Sequence, residues 1–442
     1  MKKLSALMLV LVGCADRSTV IGAMTLDSGS GDPDAGAASG LPWGAFAAAL
    51  PVGPCLDGGV LMVDTVADEL EGGEALSSPT AAGAHLSFAE ALWIAQNTPG
   101  PDTILFDAAV FPVEARGTIL LRGSYALPQS LANTCIDARN RGVVVHWSHS
   151  ARTGAPSDSA FLFGLGMGSL QIGLELRAIE QGQSVNQAQV AGCRYFSEDG
   201  DYEHPVSNQV TLNEATFGPG NVILGLPVGV MGSGTVRGNF IGYDPRTGQN
   251  APPTAGVVLL GPSLVEKNVI SAIFQAAHIY SDGTIFRDNV IGFRPDTLAE
   301  LNRPIDGVRI TNGFARAKVG PGNHIKASNA GVYISSAESV TITRTLITAR
   351  QPIENRDFTP PVAAPEIVAA GPAQVSGTCS VEGLIEVFSG SSFAVNEFIG
   401  EATCGANRTW TLVAKVPSTS VLATLTDAQG STSLFSTPFI VP

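Results

Sequence analysis

RGNFIGYD at residues 237–244 and RDNVIGFR at residues 287–294 share Arg, Asn, Ile and Gly in register, 50 residues apart. Outward from this pair, Asn-x-Ile recurs at Asn221, Asn239, Asn268, Asn289 and Asn323, in steps of 18, 29, 21 and 34 residues. A second unit, a small residue before apolar-x-apolar, falls between them. It reads GVVL at 256–259, GVRI at 307–310 and GVYI at 331–334, with AHIY at 277–280 as a looser copy. FGPGNVI (217–223) and VGPGNHI (319–325) repeat across 102 residues. The base step is thus 21–24 residues, and two steps carry insertions: DPRTGQNAPPTAG after Tyr243 and RPDTLAELNRPIDG after Phe293. One plain and one inserted step make the 50-residue period.

Self-similarity at a fixed step is the signature of a solenoid. Apolar residues alternate within each unit, as in Val308-Arg309-Ile310 and Val332-Tyr333-Ile334, so the units are strands. Gly and Asn bound them, as sharp corners require, and Asn tolerates left-handed backbone there. Stacked Asn side chains would hydrogen-bond coil to coil. A step of about 22 residues fits three short strands with corners, one coil of a parallel β-helix. The Leu-dense pattern of leucine-rich repeats is missing.

These units resemble those of bacterial right-handed parallel β-helix proteins of pectin-lyase-like fold, on GNVI (220–223), GNFIGYD (238–244) and EKNVISA (266–272). LSFAEALWIAQNTPGPDTILF (86–106) is similar to the family's CSLREAI-type helical cap, matching at Ser87, Glu90, Ala91, Pro99, Gly100, Asp102, Thr103 and Ile104. Leu86 and Ala89 stand where that motif has Cys and Arg, so no cap disulfide can form from that position. Phe88, Ala91, Leu92 and Ala95 recur at helical spacing and are expected to cover the first coil's open core. The stretch 150–215 is the least regular part of the solenoid.

The N-terminus MKKLSALMLVLVGC has two lysines and an apolar run too short to span a bilayer. Its Leu11-Val12-Gly13-Cys14 ending resembles a bacterial lipobox, which implies lipidation of Cys14 and a membrane attachment through that lipid. Ala15 after it resembles lipoproteins sent to the outer membrane. Residues 15–50, with DSGSGDPDAGAASG at 27–40, read as a tether with almost nothing to bury. An exported chain permits disulfides. Cys379 and Cys404 fall in one small domain and are expected to pair. Cys55–Cys135 is favoured as a second bridge, the alternative being that Cys55, Cys135 and Cys193 are all buried and unpaired.

Beyond a linker at 357–365, residues 366–442 carry short strands with turns every 8–12 residues, the pattern of a β-sandwich. VSGTCS, IEVFSG, Thr409-Trp410-Thr411-Leu412 and TDAQGSTSLFS resemble bacterial Ig-like domains, and Trp410 is expected in its core. The whole fold expected is all-β: a parallel β-helix over 51–356 with a short helical cap, then an Ig-like sandwich.

A net charge of −14 argues against nucleic acid as a partner. Charged residues make up only 14% of the chain against 50 glycines, which suits a β-rich exported protein. Asp244, Asp282, Asp288, Asp296 and Asp306 spread over consecutive coils, but the Asn-Thr-Asp, Asp-Asp and Gly-His-Gly signatures of the fold's hydrolases and lyases are missing, and turn roles account for Asp282 and Asp306. HWSH at 146–149 shows too few ligands for a metal. Arg237, Lys267 and Arg287 precede successive Asn-x-Ile units and would form a basic stripe, with Asp288 and Glu266 as the competing ion-pair partners. Tyr243, Phe293 and Tyr333 are the aromatics that fall in register beside it. These six residues are the candidate polymer-binding face. The expectation is a monomeric, lipid-anchored, surface-exposed protein that binds polysaccharide or another surface protein without catalysis and without a cofactor. The rival is a polyuronate lyase, hydrolase or epimerase, for which Ca²⁺ would be required, and a structural spacer is the third reading.

Overall fold

The structure, a computed structural model, describes residue 55 and residues 57–442 apart from 72, 122–126, 148–162, 178–181, 198–208, 312–315, 338, 357–361 and 417–419. Cys14, the lipobox and the tether lie outside the described residues, as do residues 148 and 149 of the HWSH stretch.

Each coil of the solenoid has three strand faces, all paired in parallel with the coils before and after. The first face stacks Val230, Val257, Ala277, Val308, Val332 and Ile353 in register. The second stacks Phe217, Val236, Val265, Phe286, Val319 and Ile342. The third stacks Ile223, Ile241, Ile270, Ile291, Ile325 and Ile347. All of these side chains are buried in one continuous core. The first two faces merge into a 17-stranded sheet, because strands such as Ala255–Glu266 bend across their shared corner without a break.

The two sequence units meet inside the coil. A Cβ added to Gly229, Gly256, Gly307 or Gly331 would lie 3.0, 2.7, 2.4 or 2.1 Å from the Cγ2 of Ile241, Ile270, Ile325 or Ile347 respectively. The Gly of the first face is therefore dictated by the Ile of the third, and filling it would overpack the core at about 1–3 kcal/mol. This column also corrects one repeat. Ala277 pairs with Val257 and Val308, so the looser copy is AAHI at 276–279, one residue earlier than AHIY. A one-residue shift exchanges inward and outward side chains, and it moves His278 to the outer wall.

At the corner between the second and third faces the Asn column forms a ladder. The backbone N–H groups of Asn221, Asn239, Asn268 and Asn289 donate to the Oδ1 of the Asn one coil on, at 3.3, 3.0, 3.0 and 3.0 Å. Their Nδ2 groups, and that of Asn323, donate to carbonyls of the preceding coil, from Val190 to Phe286, at 2.8–3.0 Å. The left-handed residue is not the Asn but its predecessor: Gly220, Gly238, Lys267, Asp288 and Gly322 have φ of 82°, 63°, 56°, 54° and 78°. In the two coils before the ladder the same place holds Leu174 and Cys193, and in the coil after it Thr345. Cys193 is thus a buried, unbridged thiol, pushed up to about 11 by burial.

In chain order the helix Phe88–Asn97 falls between the strands Gly59–Val63 and Asp102–Phe106, which pair directly with each other. Ser87 caps it: the Glu90 N–H donates to Ser87 Oγ at 3.2 Å, and the Ser87 N–H to Glu90 Oε2 at 2.9 Å. The matched Ser and Glu thus form a capping box. Phe88, Ala91, Leu92 and Ala95 are buried, and so are Ala89 and Ile94. Phe88 meets Phe106 and Phe163 of the first coils at 5.8 and 6.0 Å. A Cys55–Cys135 disulfide ties the entry of the chain to the outer wall, with Cα atoms 5.5 Å apart.

The C-terminal unit packs the sheet Glu366–Gly371, Gln374–Thr378 and Thr409–Val413 against the sheet of Gly383–Ser391, Ala394–Cys404, Ser420–Asp427 and Phe439–Ile440. Trp410 sits in this core, its Nε1 donating to the Thr378 carbonyl at 3.2 Å. Cys379 and Cys404 are bridged, with Cα atoms 6.5 Å apart. The unit is docked on the last coil. Ile347 and Thr348 pair antiparallel with Val395 and Ala394, the Ile342 N–H donates to Thr432 Oγ1 at 2.8 Å, and Leu434 and Phe435 pack on the solenoid core. The sandwich therefore covers the open end that a terminal coil would otherwise expose. Glu386, at this junction and almost fully buried, is pushed up to about 7 by that burial, although the Arg344 N–H donates to it at 3.0 Å.

Candidate functional site

The six residues expected to form a binding face do not come together as one. Arg237, Lys267 and Arg287 are exposed, but the register inserts Glu266 between the two arginines: Arg237 pairs with Glu266, and Glu266 with Arg287. Arg287 donates to Glu266 Oε2 from Nε at 2.9 Å and from Nη2 at 2.6 Å, and Asp288 lies 3.9 Å from it. The stripe is thus interrupted by a carboxylate that one of its arginines holds. Tyr243 and Phe293 are buried by the insertions that follow them. Both insertions fold back alike, with bridges Tyr243–Asn250 and Phe293–Glu300, and Tyr243 packs with Phe240, Val269 and Leu301.

The acidic residues scatter as well. Asp244 is fully buried against Arg194, Asp282 accepts from the Gly283 N–H in its own turn at 2.8 Å, and Asp296 pairs with Arg294 at 2.7 Å. Asp306 and Tyr333, however, belong to a patch that the sequence did not assemble.

That patch is the outer wall of the first face. The register stacks His278, Arg309, Tyr333 and Glu354 on four successive coils. Arg309 lies over the Tyr333 ring at 4.5 Å and Arg356 at 5.8 Å, so the phenol sits between two guanidiniums. His278 stacks on Tyr280 with centroids 3.9 Å apart, and its Nε2 hydrogen-bonds Thr311 Oγ1 at 2.7 Å. Asn329 Nδ2 donates to Asp306 Oδ1 at 3.2 Å and to Glu354 Oε2 at 3.0 Å. One amide thus holds two carboxylates. Arg356 Nε donates to Glu354 Oε1 at 2.5 Å, and Arg309 Nη1 lies 3.4 Å from Asp306 Oδ2.

Burial sets the electrostatics. It pushes the Asp306 carboxyl above its ordinary range against the Asn329 bond and Arg309, with Glu354 adding to the rise. It also drives His278 down to about 3, helped by Arg309. Imidazole is therefore neutral at physiological pH, free to accept or donate through the nitrogen not used by Thr311. His278 Nδ1, Arg309 Nε and Gln275 Oε1 are buried in this patch without a hydrogen-bond partner. Such orphaned groups destabilise a fold unless something uses them. Among the described residues no group of three or more His, Cys, Asp or Glu stands close enough to hold a metal ion.

No family model matches the chain, and no curated protein matches it. Among solved structures it is similar to PfbA, a surface adhesin of Streptococcus pneumoniae, at 9% identity and a TM-score of 0.27, over 73% of this chain and 93% of that chain. A likeness this distant carries no argument.

Proposed function

We propose that this chain is an exported, lipid-anchored protein of the bacterial cell envelope, monomeric and with an Ig-like C-terminal domain, that binds an extended polysaccharide along the outer wall of its first face. The observation that carries this reading is the His278–Arg309–Tyr333–Glu354 row. Parallel stacking repeats its groups about every 4.8 Å, a spacing that suits an extended, repeating ligand. Arg309 and Arg356, with side-chain exposures of 33% and 63%, supply charged contact surface, backed by the buried Tyr333 ring they lie over and by the buried, neutral His278. Retention of a soluble form, beginning at Ala45, on immobilised polyuronates and neutral glycans tests it. Arg309→Met and Tyr333→Ala should abolish retention, and retention unchanged in both would sink the reading. Replacing Cys14 by Ser should release the full chain from membranes, and a variant that still fractionates with them would remove the anchor.

The paired carboxylates favour one rival. Asp306, pushed above its ordinary range, and Glu354 two coils on, bridged by the Asn329 amide, have the makings of an acid and a base. Incubation of the same polymers with and without Ca²⁺ distinguishes the two. New reducing ends or unsaturated products that vanish in Glu354→Gln would make the wall a catalytic one, and retention without cleavage supports binding.

A further inference from the structure

The junction between solenoid and sandwich buries a carboxyl group that neither apolar core needs. On the strand Gly383–Ser391, Ile385 and Val387 point into the sandwich core, while Glu386 and Phe388 point the other way, onto the last coil. Phe388, Val395 and Leu422 form an apolar cluster there, with Leu346 of the solenoid packed against it. Glu386 is two residues from Phe388 on the same side of the strand and only 1% exposed.

Little around Glu386 favours a charge. Arg344, at the corner of the last coil between Ser339–Ile342 and Leu346–Thr348, donates its N–H to Glu386 Oε2 at 3.0 Å. The Arg344 guanidinium turns elsewhere. Its Nη2 donates to Glu401 Oε2 at 2.8 Å, while its Nε stays 4.0 Å from Glu386 Oε1, beyond hydrogen-bond length. On the two neighbouring strands Glu386 stands in register with Glu401, which adds a like charge, and with Thr424, which adds none. Arg344 and Glu401 are thus the charged groups that face it, and they pair with each other at the rim, 49% and 47% exposed. Burial outweighs both the Arg344 bond and its charge, and pushes the carboxyl from an ordinary 4.5 up to about 7. Where the junction opens, water reaches the group and it ionises in its ordinary range.

We propose that Glu386 makes the docking of the sandwich on the solenoid pH-dependent: its neutral carboxyl closes the junction, and its ionisation loosens it. The device lies apart from the first-face site and stands or falls without it. The docked state holds a proton that the loosened state gives up. Its contribution to docking is therefore complete below pH 4.5 and is lost as pH rises through about 7. Each pH unit between these limits changes the docking equilibrium by at most about tenfold. Acid thus seals the end of the solenoid core, and neutral to alkaline medium relaxes the seal.

Hydrogen exchange of the full chain at pH 5.5 and pH 8.0 tests it, read as protection factors so that the intrinsic pH dependence of exchange is removed. The reporters are N–H groups whose acceptors lie across the junction: Ile342 to Thr432 Oγ1, Thr432 to the Val340 carbonyl and Ala349 to the Phe393 carbonyl. The reference is the Asn268 N–H of the ladder, which follows any change in the solenoid as a whole. From pH 5.5 to pH 8.0, junction protection should fall roughly tenfold or more against that reference. Glu386→Gln keeps an oxygen for the Arg344 N–H and cannot ionise, so it should show no such fall, whereas Glu401→Gln should retain it. Equal protection at both pH values in the natural chain would overturn the proposal. So would a fall that survives in Glu386→Gln, or one that Glu401→Gln abolishes, which would make the rim pair the switch.

Discussion

The corner column Asn221–Asn239–Asn268–Asn289–Asn323 repeats one residue on five successive coils, whereas the outer row His278–Arg309–Tyr333–Glu354 changes residue at every coil. In the corner, each amide completes its hydrogen bonds with the coil on either side, so one side chain serves every step. On the outer row each group finds a different kind of partner, Thr311 and Asn329 on a neighbouring coil, Asp306 and Arg356 on its own, and two of their nitrogens are not satisfied at all. Uniformity along a solenoid marks what holds coils together. Departure from it, with polar atoms left orphaned, is the place where the proposed binding role rests.

The sharpest way to break this contrast is Asn268→Leu in the middle of the column. It removes the acceptor of the Asn239 N–H and the donor to the Val236 carbonyl, both buried. Two or three unsatisfied groups should destabilise the fold by roughly 3–5 kcal/mol, read as a fall in the urea midpoint. A loss under about 1 kcal/mol would mean that the ladder is ornament to the apolar core. Next in size is the pH response of the outer row. His278 is held down at about 3 from an ordinary 6.5, so below pH 6.5 the unfolded chain takes up a proton that the native state refuses. The stability this contributes is complete above pH 6.5 and is lost as pH falls towards 3, at up to about 1.4 kcal/mol per unit. Urea midpoints at pH 7.5, 5.5 and 4.5 should fall more steeply for the natural chain than for His278→Gln. Parallel curves would show that His278 protonates freely in the folded state.

The same contrast explains what could be read without coordinates. The solenoid was legible because Asn-x-Ile and Gly-Val-x-Ile recur, and both motifs answer to one contact, the Ile of the third face against the Gly of the first. Where Ala276 replaces that Gly, the frame slipped by one residue and His278 was lost from view. The outer row was illegible for a related reason. Its members share no residue type, and the insertions after Tyr243 and Phe293 make the coil step variable, so only the register aligns them. Those insertions also explain why Tyr243 and Phe293, in register in the sequence, add no exposed rings: their burial depends on folded-back segments with no period of their own. Glu266 is named in the sequence as a competing partner of the basic stripe, but its place between the two arginines follows only from the register, because the arginines align on the strand before the Asn. Docking of the sandwich on Ile347 and Thr348 leaves no trace in either motif set.

Two smaller effects sharpen the comparison from each side. Arg309→Met keeps the stem that covers Tyr333 and removes the charge. Because one of its nitrogens already lacks a partner, stability should change by no more than about 1 kcal/mol, while polymer retention is lost. A larger fall in the urea midpoint would make Arg309 part of the scaffold. The smallest effect belongs to the column's upper end. Cys193 occupies the ladder position, and its N–H already donates to Asn221 Oδ1 at 2.9 Å. Its Sγ lies 3.9 Å from the Gln171 carbonyl, the place that the ladder's Nδ2 groups take one coil later. Cys193→Asn should therefore extend the column by one rung, with a stability change within about 1 kcal/mol of zero, measured by the same urea midpoint. A loss of several kcal/mol would mean that the corner above Asn221 is shaped for an apolar side chain. The ladder would then end there because Leu174 and Cys193 need a dry corner, and the boundary between the two kinds of coil would be set by packing rather than by hydrogen bonding.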